Sequence, residues 1–164
     1  MLGKGCNFDA FHLAWVEIWG LEVSPKVRHF LWRLCTSTLP TRALLKARHV
    51  IDNAVCSWCG KEEETSSHIL FDCERSRELW EDSGCASLIE DISGTMCDMV
   101  VRWKATNVKK QQRAANLIWL LWAQRNLWVF DGKATPNGLL LSRLDRLSEE
   151  YGKYNSMIYK PMQP

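Results

Sequence analysis

Four residues of this 164-residue chain have the types and spacing to hold a metal ion. Cys56, Cys59, His68 and Cys73 stand in the pattern C-x2-C-x8-H-x4-C. Two cysteines separated by two residues can turn both sulfurs onto one ion, here from a turn that Gly60 helps complete. His68 and Cys73 are five apart, about 1.4 turns of α-helix, so a modest helical distortion brings both to one face. Three thiolates and one imidazole close a tetrahedral site with no open position, a donor set that suits one structural zinc ion rather than a catalytic one. The alternative is four reduced, unliganded residues in a helical core. Cys85 is a substitute ligand in principle, set apart by Gly84 and the intervening helix. Cys6, Cys35 and Cys97 have no metal-like spacing and read as buried free thiols.

These ligands need a scaffold, and almost every segment around them has helical periodicity. Phe11, Trp15, Ile18 and Trp19 repeat at helical spacing. Ser24-Pro25 reads as an N-cap followed by proline at the first helical position, and Val27, Phe30, Leu31 and Leu34 form the apolar stripe behind it. Leu39-Pro40 stops that helix, and Thr41 can cap a second basic one over 42–49. Residues 52–64 read as a loop or tight turn. Thr65 or Ser66 can cap a helix covering 68–82, and Ser83-Gly84 ends it. Further helices are predicted over 96–105 and 109–130; the second is apolar nearly all round from Leu117 to Ala123 and should be the central buried element. Thr135-Pro136 opens a last helix to about Tyr154, with a loose tail from Asn155. The fold class is all-α, a multi-helix domain of about seven helices with one structural zinc-bound turn. The divisions are a lead-in over 1–14, the zinc-binding helical domain over 15–133, and a C-terminal helix and tail over 134–164.

Formal net charge is +2, but its distribution is uneven. Residues 23–51 carry Lys26, Arg28, Arg33, Arg42, Lys46 and Arg48 and no acid. Residues 60–91 are strongly acidic, and residues 99–130 again carry only cations: Arg102, Lys104, Lys109, Lys110, Arg113 and Arg125. Either the basic stretches meet phosphate, or they neutralise the acidic stretch. His29 lies on the basic stripe with Lys26 and Arg33, and is a phosphate contact or an ordinary surface histidine. Trp58, between the first two cysteines, either stacks on a base or packs over the metal turn. Trp15, Trp19, Trp32, Trp80, Trp119 and Trp122 fall on helical stripes and read as core.

Hydrophobic residues make up 46% of the chain and charged residues 24%, which excludes wholesale disorder and fibrous classes. No apolar run is long enough to span a membrane, and residues 1–11 lack the apolar core of a signal peptide. Seven cysteines without a secretory signal point to a reducing compartment, nuclear or cytoplasmic, and not to secretion. No nucleophile elbow, phosphate-binding glycine loop or His-Glu-x-x-His pattern is present, so no catalytic set and no small-molecule substrate is predicted.

Three stretches carry a family resemblance: WVEIWGLEVSPKVRHFLWRLCTSTLPTRALLKARHV, CSWCGKEEETSSHILFDCERSRELW and IWLLWAQRNLWVFDGK. In order and spacing they resemble the zinc-binding domain that follows the reverse transcriptase in plant non-LTR (LINE-type) retrotransposons. The middle stretch is the most specific, joining the four cysteine and histidine positions to Glu64-Thr65, Phe71 and Trp80. The family often has proline where this chain has Ser57 and Glu74; neither position is a ligand. The resemblance implies metal ligands at Cys56, Cys59, His68 and Cys73. It also implies a non-enzymatic accessory role, holding RNA or DNA near a polymerase without reading its sequence. Lys26, Arg28, His29, Arg33, Arg42, Lys46, Arg48 and Trp58 are the candidate nucleic-acid contacts. The rival expectations are a protein-interaction or scaffold domain, including self-association, and a retroelement remnant with no selected function.

Overall fold

A computed structural model describes residues 8–90 and 94–158, with side chains over 11–90 and 94–153. Its helices are α1 (Phe8–Gly20), α2 (Pro25–Cys35), α3 (Arg42–Ala47), α4 (Glu74–Asp82), α5 (Met96–Arg102), α6 (Val108–Asp131) and α7 (Asn137–Ile158). A π-helical turn spans His68–Asp72, and short 3-10 turns lie at Ala86–Leu88 and Trp103–Ala105. Among the described residues the sole β feature is an isolated antiparallel bridge between Val55 and Glu63. The chain is therefore all-α, as its periodicity predicts. Cys6 and residues 159–164 lie outside the described residues.

Local signals set most helix ends. Thr41 Oγ1 accepts from Leu44 N–H at the start of α3, and Thr95 with Asp98 forms a reciprocal capping box on α5. Asn107 caps α6, and Gly132 ends it in the left-handed conformation (φ +62°) that glycine adopts without penalty. Two starts depart from expectation. Ser24 makes no side-chain cap, so Pro25 at the first helical position and the backbone bonds to the Ser24 carbonyl begin α2. Thr135 is buried, and its N–H donates to Gln124 Oε1. The last helix runs on to Ile158, four residues past its predicted end.

The core sits around α6, whose Ala114, Ala115, Leu117, Ile118, Leu120, Leu121 and Trp122 are all buried. It packs against α2, α7 and the π-turn, while α1 packs on α2 and α5. Leu140 and Leu144 of α7 join the same apolar cluster. Trp80, Trp103 and Trp122 are interior, but Trp15 is 44% exposed, a correction to its reading as core. It belongs to an edge-to-face chain along the α1–α2 seam, linking Phe11, Trp32, Trp15, Trp19 and His29.

Candidate metal centre and basic face

The loop before the π-turn doubles back on itself. Glu64 N–H donates to the Ala54 carbonyl, Cys56 N–H to the Glu62 carbonyl and Gly60 N–H to the Cys56 carbonyl. Gly60, at φ +67°, makes the reversal that carries Cys59 beside Cys56. On the other side, Thr65 Oγ1 accepts from His68 N–H and fixes the entry into the helical turn.

The expected distortion between His68 and Cys73 is π-helical. Cys73 N–H donates to the His68 carbonyl at 2.7 Å, an i to i+5 bond. In that geometry five residues make about one turn, so His68 and Cys73 share a face that an α-helix would deny them. The predicted continuous helix over 68–82 is accordingly broken at Cys73, whose extended backbone (φ −60°, ψ 137°) starts α4. The wider turn leaves carbonyls without the usual helical donors, and buried side chains supply them. Ser76 Oγ donates to the Ile69 carbonyl at 2.5 Å and Trp80 Nε1 to the Leu70 carbonyl at 2.7 Å.

The four ligand atoms of Cys56, Cys59, His68 and Cys73 all lie within 4.8 Å of one another. Cys59 Sγ and His68 Nε2 are 3.4 Å apart. A tetrahedron with ordinary zinc–sulfur and zinc–nitrogen lengths has a corresponding edge of about 3.5 Å. Cys56, His68 and Cys73 are buried, and Cys59 is half-buried. A hydrogen bond with Cys73 is the largest influence on Cys56. With the backbone N–H groups of Cys59 and Trp58 it outweighs burial and draws that thiol from 9.0 down to about 5. The same hydrogen bond and burial push the Cys73 thiol upward. The two shifts run in opposite directions, as expected of two sulfurs that share one hydrogen bond. The donor set, its packing and its spacing fit one structural zinc, which leaves no open coordination position. Cys85 lies outside this group, with its sulfur 3.9 Å from the Ser83 carbonyl.

With Nε2 directed at the cysteines, Nδ1 of His68 faces outward to Glu62, whose Oε2 is 3.3 Å away. The approach is out of line for a hydrogen bond, and Nδ1 is otherwise buried without a partner. A carboxylate behind a ligating histidine fixes its tautomer and raises its basicity, and losing such a partner typically costs 10- to 100-fold in metal affinity. Glu62→Gln should therefore weaken zinc binding by roughly that factor, measured by competition with a chelator, with little change in the helical spectrum. Unchanged affinity would mean that Glu62 stays in solvent.

A second buried element lies next to the metal loop. Glu64 is wholly buried, and its carboxylate accepts from Arg125 Nε at 3.1 Å and Nη2 at 2.6 Å. It also accepts from Arg42 N–H at 2.9 Å, and its backbone carbonyl accepts from Ala43 N–H. One side chain therefore ties the metal loop to the first turn of α3 and to α6. The Arg125 guanidinium lies 4.7 Å from the Trp122 ring. Sequence reasoning placed Glu64 in an acidic run and Arg125 at the end of an apolar one; the pair has no local signature.

The candidate nucleic-acid residues divide by placement. Lys26 Nζ stands 4.4 Å over the Trp119 ring. Arg28 donates to the Leu21 carbonyl and the Tyr151 hydroxyl. His29 meets Trp19 edge to face. Trp58 is half-buried, with Arg75 over its ring at 5.1 Å. Arg42 donates from Nη2 to the Asn53 carbonyl. Arg33, Lys46 and Arg48 are exposed and have no side-chain partner among the described residues. None of the six cations of 23–51 forms an ion pair with a carboxylate among those residues, whereas Arg125, Lys104 and Arg113 pair with Glu64, Glu17 and Asp145. Of these three pairs only Arg125–Glu64 reaches into the acidic stretch, and the first basic stretch is unmatched among the described residues.

Residues 7–80 match the family model for zinc-binding in reverse transcriptase. The match covers just under half of the chain and includes α1 to α3 and most of α4 with all four metal ligands, ending at Trp80. Comparison with the curated proteins and with the solved structures finds no match. Among the described residues no helix is long and apolar enough to cross a membrane.

Proposed function

We propose that this chain is a non-catalytic, zinc-stabilised accessory module of LINE-type retroelement origin that holds nucleic acid through its backbone phosphates. The matched family is a zinc-binding module rather than a polymerase, which supports the non-catalytic reading. The observation that carries the binding reading is the first basic stretch, whose cations have no carboxylate partners among the described residues and whose Arg33, Lys46 and Arg48 are exposed there without a side-chain partner. Zinc holds the loop that follows α3, so the metal orders this face without touching the ligand. Contacts of this kind position a polymer without reading its bases.

The double variant Lys46→Ala/Arg48→Ala tests the proposal. Its affinity for a short RNA or DNA should fall at low salt, and the slope of log affinity against log salt should flatten by up to about one unit per lost contact. Unchanged affinity and slope would remove α3 from the interface. A protein-docking role is the second reading, favoured by the exposed Leu13, Trp15 and Val16 of α1 and Leu139 of α7. A salt-resistant oligomer on size exclusion, with no nucleic-acid binding, would put that reading first.

A further inference from the structure

A groove of about 430 Å³ opens beside the basic face, between the end of α2, α3 and the last turns of α6. Its volume lies within the range of small-ligand sites. Ile51, Trp122 and Val129 give it apolar walls, and Arg33 and Arg42 line it with positive charge. No carboxylate is among its lining residues, and Glu64, which bonds the lining residue Arg125, is itself wholly buried. Arg42 Nε is buried without a hydrogen-bond partner. Asn126, a half-buried lining residue, uses its carbonyl oxygen to accept from Arg125. That leaves its amide N–H groups available. Phe130 also lines the groove, yet is 76% exposed, a degree of exposure that packing against this chain does not explain.

We infer that this groove takes one unstacked base of a single-stranded nucleic acid, with Phe130 as its stacking platform and Arg33 and Arg42 on the adjoining phosphates. The inference rests on the nucleic-acid reading above and adds strand type to it. An exposed aromatic ring beside apolar walls offers a surface for the π-face of a base, and the arginines supply the anion partner. A duplex keeps its bases stacked inside and offers only phosphates, so it has no use for Phe130. An acidic peptide would match the charge but gains less from a flat aromatic face flanked by amide donors. The geometry therefore favours a base.

The test compares binding of a labelled ten-nucleotide single strand and a duplex of equal length to the full chain, to Phe130→Ala and to Lys46→Ala/Arg48→Ala. Phe130 is exposed enough that its truncation should leave the fold intact, which the thermal transition checks. Phe130→Ala should weaken single-strand binding by about tenfold, leave duplex binding unchanged and leave the salt slope unchanged, with Phe130→Trp restoring the affinity. An equal loss for both strand types, or none for either, overturns the groove assignment. If Lys46→Ala/Arg48→Ala still lowers binding in that case, the basic-face reading survives alone. Absence of nucleic-acid binding by the unaltered chain, or displacement of the single strand by an acidic peptide but not by free nucleotide, overturns the inference as well.

Discussion

Cys73→Ser should purify with far less than one zinc per chain and melt at least 10 °C below the unaltered protein, or lose its cooperative transition. The reasoning is a comparison of magnitudes. Structural zinc in small domains contributes an apparent 10–16 kcal/mol at neutral pH, whereas a whole domain is stable by only about 5–15 kcal/mol. Losing one thiolate of three forfeits a large part of the metal term. At this chain length each 1 kcal/mol corresponds to about 2–4 °C in melting temperature. Serine is a favourable choice because Cys73 begins α4, where a hydroxyl is a good N-cap. Helix initiation is therefore preserved, and the loss reports on metal. Cys85→Ser is the matched control: that cysteine is equally buried but lies outside the ligand group. It should keep its zinc. Full zinc occupancy and an unchanged transition in Cys73→Ser would mean that the four residues serve packing alone.

Glu64→Gln should cost about 3–5 kcal/mol in denaturant unfolding while zinc content stays near one per chain. Arg125 is 3% exposed, and a buried cation deprived of its counter-charge is destabilising by that amount. Glutamine keeps the shape and an oxygen for Arg42 N–H, so the loss isolates the charge. The double variant Glu64→Gln/Arg125→Met should recover much of the stability, because no buried charge is then left alone. Zinc should remain because the Glu64 carboxylate bonds Arg125 and Arg42 and not a metal ligand. Equal stability of the single variant and the parent would show that the pair is not formed in solution.

The metal centre was legible because its ligands fall within one short stretch and their chemistry fixes their spacing. The need for a distortion between His68 and Cys73 was also legible, since five residues do not fit one face of an α-helix. Its form as a π-turn was not, because that depends on Ser76 and Trp80 reaching back to carbonyls of the turn. Helix periodicity located α5 and α6 closely, where apolar stripes and caps agree, and placed the start of α2 and the end of α4. It failed for Trp15, since a stripe shows that residues share a helix face and not that the face is covered. The Glu64–Arg125 pair joins residues 61 apart. The family resemblance includes Glu64-Thr65, yet no local pattern announces where the carboxylate turns. Charge counting could not separate matched from unmatched basic stretches for the same reason: pairing is a property of tertiary faces.

The two polar linkages of this loop differ greatly in the length of chain they close. Cys59 and His68 are nine residues apart, whereas Glu64 and Arg125 are separated by 61. Loop-closure entropy makes the longer closure dearer by about 1.7 kcal/mol, before any packing compensates. During synthesis from the N-terminus, all four metal ligands emerge before any residue of α6. The whole ligand set is therefore available for a local closure on the ion while α6 is still to come. The buried carboxylate of Glu64 must then wait, desolvation deferred, until Arg125 arrives to close the domain over it.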